Sequence, residues 1–491
     1  ATGDIYLESG QAVTIGGVGD VLTDYERFDS GTTTVTDLDL TGLAGTGGVV
    51  KLKSAGTVTV NEAVQAGTDV LLLTTAGDIT QNVQLTVDAG NLSMIAADNV
   101  IQNADLTAGN DAYVEAGSGS ITMVAGTQTS AGDDIRYSAG TTVSLGLLAG
   151  TESVSVTAGG SITDANSDET ANVSGARARL VSGGSIGSGV GAESDTNTGA
   201  VDISVTSVEA QATDDIYLES GQAVTVGGVG DVATDYERFA SGTTEVTDTD
   251  LTGLEGTGGV VKLKSAGTIT VDEAVEAGTD VLLLATTGDI TQDADLKADA
   301  GNLSVIAAGS VSQNANLTAG SDAYVEAGSG SITMAAGTQT SAGDDIRYGA
   351  VTTVSLGLLA GTESVSVAAG GSIIDANSDE TANVSGARAR LVSGGSIGSG
   401  AGAESDTNTG AVDISVTSVE AQATDDIYLE SGQAVTVGGV GDVLTDYERF
   451  DSGTTTVTDT DLTVLEGTGG VVKLKSAGTV TVDEAVQAGT D

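Results

Sequence analysis

Short runs of alternating apolar residues, separated by turn residues, recur along the whole chain. Ala66–Thr86 shows the pattern: a turn precedes a strand predicted over Val70–Thr74, and a second turn precedes a strand predicted over Ile79–Gln81. Alternation directs Val70 and Leu72 inward. β-Branched residues between clusters of Gly, Thr, Ser, Asn and Asp are typical of strands and turns. We find no long segment with the 3.6-residue period of a helix.

The pattern repeats with a long and a short period. The string DIYLESGQAVT follows Ala1, Ala212 and Ala423, whose spacing is 211 residues each time. We therefore divide the chain into repeat units 1–211 and 212–422 and the start of a third unit, 423–491. Neither end resembles a capping coil, so we expect one continuous rod that is a fragment of a longer array.

The short period is about 21 residues, since Gln81-Asn82 recurs as Gln102-Asn103. Coils of this length hold two or three short strands, each pairing in parallel with the next coil. The sequence therefore predicts an all-β parallel β-solenoid with about 21 residues per coil and a length of roughly 110 Å. Asn82 and Asn103 are expected to stack as a side-chain ladder.

Composition supports this fold and limits the function. The 491 residues include 72 Gly and no Pro, Cys, His or Trp, and the net charge is −53. Few aromatic residues and evenly spread aliphatic ones indicate a thin core of constant width. The negative charge disfavours nucleic acid and anionic membranes and favours hard cations such as Ca²⁺, with a solvated acidic surface as the alternative. No apolar run is long enough for membrane insertion.

Three segments interrupt the coil rhythm, and we predict that they project as loops: Val21–Thr34, Asp164–Ala176 and Gly189–Gly199. Loops on a rigid scaffold often carry function. The second loop alternates oxygen ligands in a way that suits Ca²⁺, although the EF-hand Gly and the final Glu are missing. The alternative is a polar turn that caps its own backbone. The candidate ligands are Asp164, Asn166, Asp168 and Glu169, with copies at Asp375, Asn377, Asp379 and Glu380.

Two further motifs are candidates for surface contacts. Lys51 and Lys53 flank Leu52, so both are expected on the outer face, as a docking stripe for an acidic neighbour or as charges that discourage sheet pairing. The copies of these lysines are Lys262 and Lys264.

The second motif is DYERF, which contains the three Phe residues of the chain in its three copies. It is a candidate contact site for carbohydrate or protein, and the alternative is a Phe that folds back over the coil. Its candidate residues are Tyr25, Arg27 and Phe28, with copies Tyr236, Arg238 and Phe239.

Catalysis has little support in the sequence. Without His or Cys, the nucleophile–base pairs of most hydrolases are absent. A catalytic site is expected once, whereas each acidic cluster recurs with its repeat unit. We predict that the chain is not an enzyme, with a β-helical polysaccharide-active enzyme as a remote alternative.

The repeat style resembles a known family. Strings such as AGTDVLLLTTAGDITQ, AGDDIRYSAGTTVSLGLLAG and ESVSVTAGGSITDA resemble the coils of filamentous-haemagglutinin-like giant bacterial surface proteins. The resemblance covers the whole chain and implies a right-handed parallel β-helix, export from the cell and a role as adhesin, stalk or fibre. The chain matches no binding motif of that family, so no binding residue is carried over.

These observations predict an extracellular or cell-surface structural or adhesive fibre segment from a bacterium. The alternative is a subunit of a laterally assembled filament, sheath or surface layer that packs through the lysine stripe and the acidic loops. The expected partners are other copies of the chain or neighbouring cell-surface components, with carbohydrate as a further candidate. Nucleic acid is not expected, and Ca²⁺ is the one candidate cofactor.

Overall fold

The computed structural model describes residues 1–28, 31–166, 170–189, 199–240, 242–377, 381–400, 410–450 and 453–490. In these ranges the chain forms strands and no helix. Parallel strands about 21 residues apart in sequence stack into a β-solenoid of about 20 turns. The predicted fold class is therefore confirmed.

Contacts divide the chain into two compact units. The first unit includes Ala1–Gly187 and Val229–Asp250, and the second includes Thr206–Gly228 and Leu251–Asp491. Each unit contains turns made of three strands, and we name the three resulting stacks of strands the A, B and C faces. The segment 229–250 thus belongs structurally to the turns that precede it, although the 211-residue period places it in the second sequence repeat.

In the first unit the A strands have five or six residues, and the B and C strands are shorter. The A strands are Ile5–Ser9, Val50–Ser54, Val70–Thr74, Leu92–Ala96, Ala112–Ala116, Ile135–Ala139, Ser153–Ala158 and Arg177–Ser182. The B strands are Val13–Ile15, Val58–Val60, Ile79–Gln81, Val100–Gln102, Ile121–Met123, Val143–Leu145 and Ile162–Asp164. The C strands are Leu43–Gly45, Val64–Ala66, Leu85–Val87, Leu106–Ala108, Gln128–Ala131, Leu147–Gly150, Val173–Ser174 and Val201–Ser204.

The second unit repeats the three faces. Its A strands are Ile216–Ser220, Val261–Ser265, Val281–Ala285, Leu303–Ala307, Ala323–Ala327, Ile346–Ala350, Ser364–Ala369, Ile427–Ser431 and Val472–Ser476. Its B strands are Val224–Val226, Ile269–Val271, Ile290–Gln292, Val311–Gln313, Ile332–Met334, Val354–Leu356, Ile373–Asp375, Val435–Val437 and Val480–Val482. Its C strands are Leu254–Gly256, Val275–Ala277, Leu296–Ala298, Leu317–Ala319, Gln339–Ala342, Leu358–Gly361, Val464–Gly467 and Ala485–Ala488. Three further strands pair on more than one face: Ser207–Ala212, Val384–Ser393 and Val412–Ala423.

Register places like residues above one another. Val50 pairs with Val70, Val70 with Leu92, and Leu92 with Ala112, and all four side chains are buried. Alternate residues of each strand fill the narrow core, as predicted for Val70 and Leu72. The predicted bounds Val70–Thr74 and Ile79–Gln81 are those of the structure.

The predicted asparagine ladder is confirmed. Asn103 Nδ2 donates to Asn82 Oδ1 at 2.7 Å, and Asn82 Nδ2 donates to Asn61 Oδ1 at 2.9 Å. Each side-chain amide therefore donates a hydrogen bond to the asparagine one turn before it. This ladder of hydrogen bonds fixes the register of successive turns at an exposed corner.

The prediction of a loop over Val21–Thr34 is wrong, because this segment forms an antiparallel hairpin. The same hairpin occurs three times, and we call the copies the first, second and third hairpins. Their strands are Val21–Glu26 and Thr32–Asp37, Val232–Glu237 and Thr243–Asp248, and Val443–Glu448 and Thr454–Asp459. Gly42 lies where the chain leaves the first hairpin and re-enters the coil. It has a φ of +108°, and a Cβ there would lie 2.0 Å from the Ala63 carbonyl oxygen, so this position requires glycine.

Candidate functional site

One residue near the start of each A strand points away from the core; it is the second residue of the five-residue strands and the third residue of the six-residue strands. In the first unit, strand pairing places these residues in one row along the stack, which we call the A-face column. Its members are Lys51, Leu71, Ser93, Tyr113, Arg136, Ser155 and Arg179. Although they point outward, most are buried, and Lys51 is only 2% exposed. Something other than the coil must therefore cover them.

The second hairpin covers this column. Lys51 Nζ donates to Glu237 Oε2 at 2.8 Å and to the Arg238 carbonyl oxygen at 2.7 Å. The Glu237 amide in turn donates to Ser93 Oγ at 2.9 Å. The tip of the hairpin therefore lies over the early strands of the column.

The base of the hairpin binds the later strands. Arg136 donates through Nε and Nη2 to the two carboxylate oxygens of Asp248, at 2.8 and 3.1 Å. Ser155 Oγ donates to the same carboxylate at 2.7 Å, and Arg179 Nε donates to the Thr249 carbonyl oxygen at 2.7 Å. Because its contacts extend from Lys51 to Arg179, the hairpin runs along the stack and spans several turns.

Aromatic contacts fill the space between the polar ones. The rings of Tyr113 and Tyr236 stack with centroids 4.8 Å apart, and Tyr6 meets Phe239 edge-on at 6.5 Å. Lys53 Nζ lies 5.5 Å from the centre of the Phe239 ring, a cation–π distance. The tip of the hairpin is therefore held by stacking as well as by charge.

The second unit reproduces this arrangement with the third hairpin. Lys262 Nζ lies 2.9 Å from Glu448 Oε2, and Phe450 is 4% exposed beside Tyr217 and Lys264. The further equivalent contacts are Arg347 with Asp459 at 3.1 Å, Arg390 with the Thr460 carbonyl at 2.7 Å, and Tyr324 stacked on Tyr447 at 4.7 Å. The same chemistry in both units identifies hairpin docking as a property of the repeat.

The docked charges lie where water is largely excluded. Burial raises the pKa of Glu237, and the hydrogen bond from Lys51 opposes that rise. Burial acts to lower the pKa of Arg136, but the hydrogen bonds and charge of Asp248 outweigh it and raise the pKa. Lys51 therefore stabilises the charged form of Glu237, and Asp248 stabilises that of Arg136, as a buried charge requires.

The structure brings together two sets of predicted contact residues. In the first unit, Lys51 meets Glu237 and Lys53 meets Phe239. Tyr236 stacks on Tyr113, three column positions beyond Lys51. Arg238 has an exposed side chain. In the first hairpin Tyr25, Arg27 and Phe28 are all exposed.

The lysines of the stripe differ in exposure, although all were expected on the outer face. Lys53 and Lys264 are partly exposed, whereas Lys51 and Lys262 are buried beneath a hairpin. Sequence reasoning did not select Tyr113, Arg136 or Asp248 as site residues. Aligning the coils would have shown that polar or aromatic residues recur at one outward position of the A strands, which is the available signal for a covered outer row.

The predicted calcium loop is only partly described. Asp164 Oδ1 accepts a hydrogen bond from the Asn166 amide at 2.7 Å and another from Asn172 Nδ2 at 2.6 Å. The equivalent Asp375 accepts from Asn377 and Asn383 in the same way. These are the bonds of a self-capping turn. The other predicted ligands, Asp168, Glu169, Asp379 and Glu380, lie outside the described residues, so calcium binding by these loops remains a prediction.

A different acidic cluster lies beside the A face. Carboxylate oxygens of Asp111, Asp133 and Asp134 lie within 4.8 Å of one another. Burial, together with the charge of Asp133, raises the pKa of Asp134 to about 6, and burial raises that of Asp111. Asp111 also accepts a hydrogen bond from the Asp235 amide at 2.8 Å, so the cluster contacts the second hairpin. Its oxygens could hold a cation, although carboxylates also cluster without one.

Comparisons with known proteins leave the family resemblance as an expectation. No protein-family model, curated protein or solved structure matches this chain. Within the part of the chain that the structure describes, no helix is long and apolar enough to span a bilayer.

Proposed function

We propose that this chain is a segment of an extracellular structural or adhesive fibre, in which stacked coils supply length and docked hairpins tie distant turns together. The observation that carries the proposal is the hairpin that runs along the A face in each unit. In a simple solenoid each coil contacts only its neighbours, so coils can open one at a time. The second hairpin links the turn that contains Lys51 to the turn that contains Arg179, and it therefore opposes such stepwise opening.

Residue use within the site supports a structural role. Lys51 pairs with Glu237, and Arg136 pairs with Asp248. The charges of these four side chains are therefore neutralised within the protein. The aromatic residues of the second hairpin likewise pack on its own unit. We therefore propose no catalytic function, and the remote alternative of a polysaccharide-active enzyme gains no support from these contacts.

Lateral assembly through the lysine stripe is less well supported than a fibre segment. Lys51 and Lys262 are buried and paired with carboxylates, so neither is available to an acidic neighbour. Location outside a bacterial cell and partners among cell-surface components or carbohydrate are part of the proposal, and their support is the resemblance in repeat style.

Single-molecule pulling tests the structural role. Stretched from its ends, the chain should resist force and then release many turns in each event, because the docked hairpin must detach first. The double variant Glu237→Ala, Asp248→Ala should release turns of the first unit in smaller events at lower force. Identical force–extension traces for the two proteins would contradict a mechanical role for the hairpin. The matched control is Glu26→Ala, Asp37→Ala, which removes the equivalent exposed carboxylates of the first hairpin.

Electron microscopy of the purified chain separates the alternatives. Isolated rods of uniform width, with roughly 100 Å of length from about 20 turns spaced ~4.8 Å apart, support a stalk or fibre segment. Rods packed side by side would favour the sheath or surface layer, and compact particles would contradict both.

A further inference from the structure

A lysine, an asparagine and a glutamate meet beneath the third hairpin. Lys262 Nζ donates a hydrogen bond to Glu448 Oε2 at 2.9 Å, and Asn302 Nδ2 donates one to Glu448 Oε1 at 3.1 Å. The two oxygens of a single carboxylate therefore hold an amine and a carboxamide side by side. These are the two functional groups that condense to an amide when ammonia is lost.

The amine and the carboxamide come from turns of the coil that are two apart in the stack. The strand Val261–Ser265 contains Lys262 and pairs with Val281–Ala285. That strand pairs in turn with Leu303–Ala307, which directly follows Asn302. Because a lysine side chain is long and flexible, it extends along the A face and reaches the carboxylate that Asn302 also contacts.

The surroundings of these three side chains favour attack of the amine on the amide carbon. The Asp322 backbone amide donates to Asn302 Oδ1 at 3.2 Å, which polarises the carbonyl group and stabilises the negative charge that develops on its oxygen during attack. Lys262 is 1% exposed and Glu448 is 4% exposed, so water, the competing nucleophile, is largely excluded. Reactants that the fold holds together need no bimolecular encounter.

We propose that the side chains of Lys262 and Asn302 join in an amide bond, with Glu448 as the catalytic acid and base. Glu448 takes a proton from Lys262 Nζ, and the neutral amine attacks Asn302 Cγ. Glu448 then gives its proton to Asn302 Nδ2, and the bond between Cγ and Nδ2 breaks with its electron pair leaving on nitrogen. The ammonia released takes the extra proton of Nζ and departs as ammonium, which leaves Glu448 as a carboxylate again.

This inference goes beyond the proposed fibre role, because it assigns covalent chemistry to a docked hairpin. The reaction consumes two residues of the chain itself and occurs once, so it is not turnover of a substrate. The bond ties two turns of the coil together, and it forms only after the third hairpin has docked and supplied Glu448. The first unit carries the same three residue types in Lys51, Asn91 and Glu237.

Peptide mass spectrometry of the unaltered chain tests whether the bond exists. The folded chain is purified, denatured and digested with trypsin. We expect a branched product in which peptide 239–264, uncut after Lys262, is joined to peptide 298–347, which contains Asn302. Its mass should be the sum of the two peptide masses less one ammonia molecule, and fragmentation should place the link at these two residues. Only separate peptides, with cleavage after Lys262, would overturn the proposal.

Variants test the role of the carboxylate. Glu448→Gln keeps the shape of the side chain but cannot take the lysine proton, so we expect the fraction of linked chains to fall at least about tenfold. Glu448→Asp covers failure of that variant to fold, since it keeps the charge and should lower the linked fraction because the shorter side chain reaches the two nitrogens less well. Glu26→Gln, at an exposed position, is the matched control and should leave the linked fraction unchanged. An undiminished link in a folded Glu448 variant would overturn the assignment of Glu448.

Discussion

Lys51 Nζ and Glu237 Oε2 lie 2.8 Å apart in a buried ion pair, although the two residues are separated by 186 positions in the sequence. The pair joins a lysine of one sequence repeat to the hairpin near the start of the next repeat. Lys262 and Glu448 form the same pair in the second unit. Each full repeat therefore has its outer row of A-strand residues covered by a segment encoded downstream.

Removal of one partner should destabilise the first unit strongly. Glu237→Ala leaves the Lys51 ammonium group without its carboxylate in a buried position, and we expect a loss of about 3 kcal/mol in unfolding free energy. Urea denaturation followed by circular dichroism measures it. Glu26→Ala is the matched control, because Glu26 is exposed in the first hairpin and should change stability by less than about 0.5 kcal/mol. Equal losses of unfolding free energy in the two variants would contradict a stabilising role for the Lys51–Glu237 pair.

The phenylalanine at the hairpin tip should show the same contrast between a buried copy and an exposed copy. Phe450→Ala removes a buried ring that packs on Tyr217, so we expect the second unit to lose about 3 kcal/mol. Phe28→Ala changes the exposed equivalent and should be nearly neutral. Thermal melting of both variants tests this, and a neutral Phe450→Ala would show that the docked tip contributes little.

Stability should rise as the pH falls from 8 towards 5. The pKa of Asp134 is about 6 in the fold, above its ordinary value of 3.8, and Asp345 in the second unit is raised to about 6 as well. A raised pKa favours the folded state below the unfolded pKa, and this contribution is lost as the pH rises through 6.

Asp134→Asn imitates the protonated acid and should weaken the pH dependence. We expect a gain of about 1–2 kcal/mol at pH 8, allowing for screening by water at a partly exposed group. Asp88→Asn is the control, since it removes an equal charge from an exposed position. Melting temperatures across this pH range provide the test, and identical behaviour of the two variants would rule out a special role for the cluster.

Local pattern was sufficient to predict the coil. The strands at Val70–Thr74 and Ile79–Gln81 follow directly from apolar alternation between turn residues. Parallel pairing then follows from the repeat, because each coil has a copy of itself to pair with. The hairpin strands were also within reach, since Val21–Tyr25 and Thr32–Val35 are rich in β-branched and aromatic residues, but the break in coil rhythm led to the prediction of a loop.

The docking itself was not predictable from a local pattern. Nothing in the sequence near Lys51 specifies Glu237, since their contact depends on how far a hairpin reaches back along the stack. The lysine stripe and the DYERF motif were each recognised as contact candidates, but as separate ones. Three-dimensional register was needed to show that the motif of one repeat meets the lysines of the repeat before it.

Hydrogen–deuterium exchange of the unaltered chain most directly tests whether one hairpin sequence is docked in two copies and bare in the third. We predict slow exchange for backbone amides of the second and third hairpins, because their opening requires release of the buried Lys–Glu and Arg–Asp pairs. Amides of the first hairpin should exchange much faster despite nearly the same sequence. Equal exchange in all three hairpins would contradict the account.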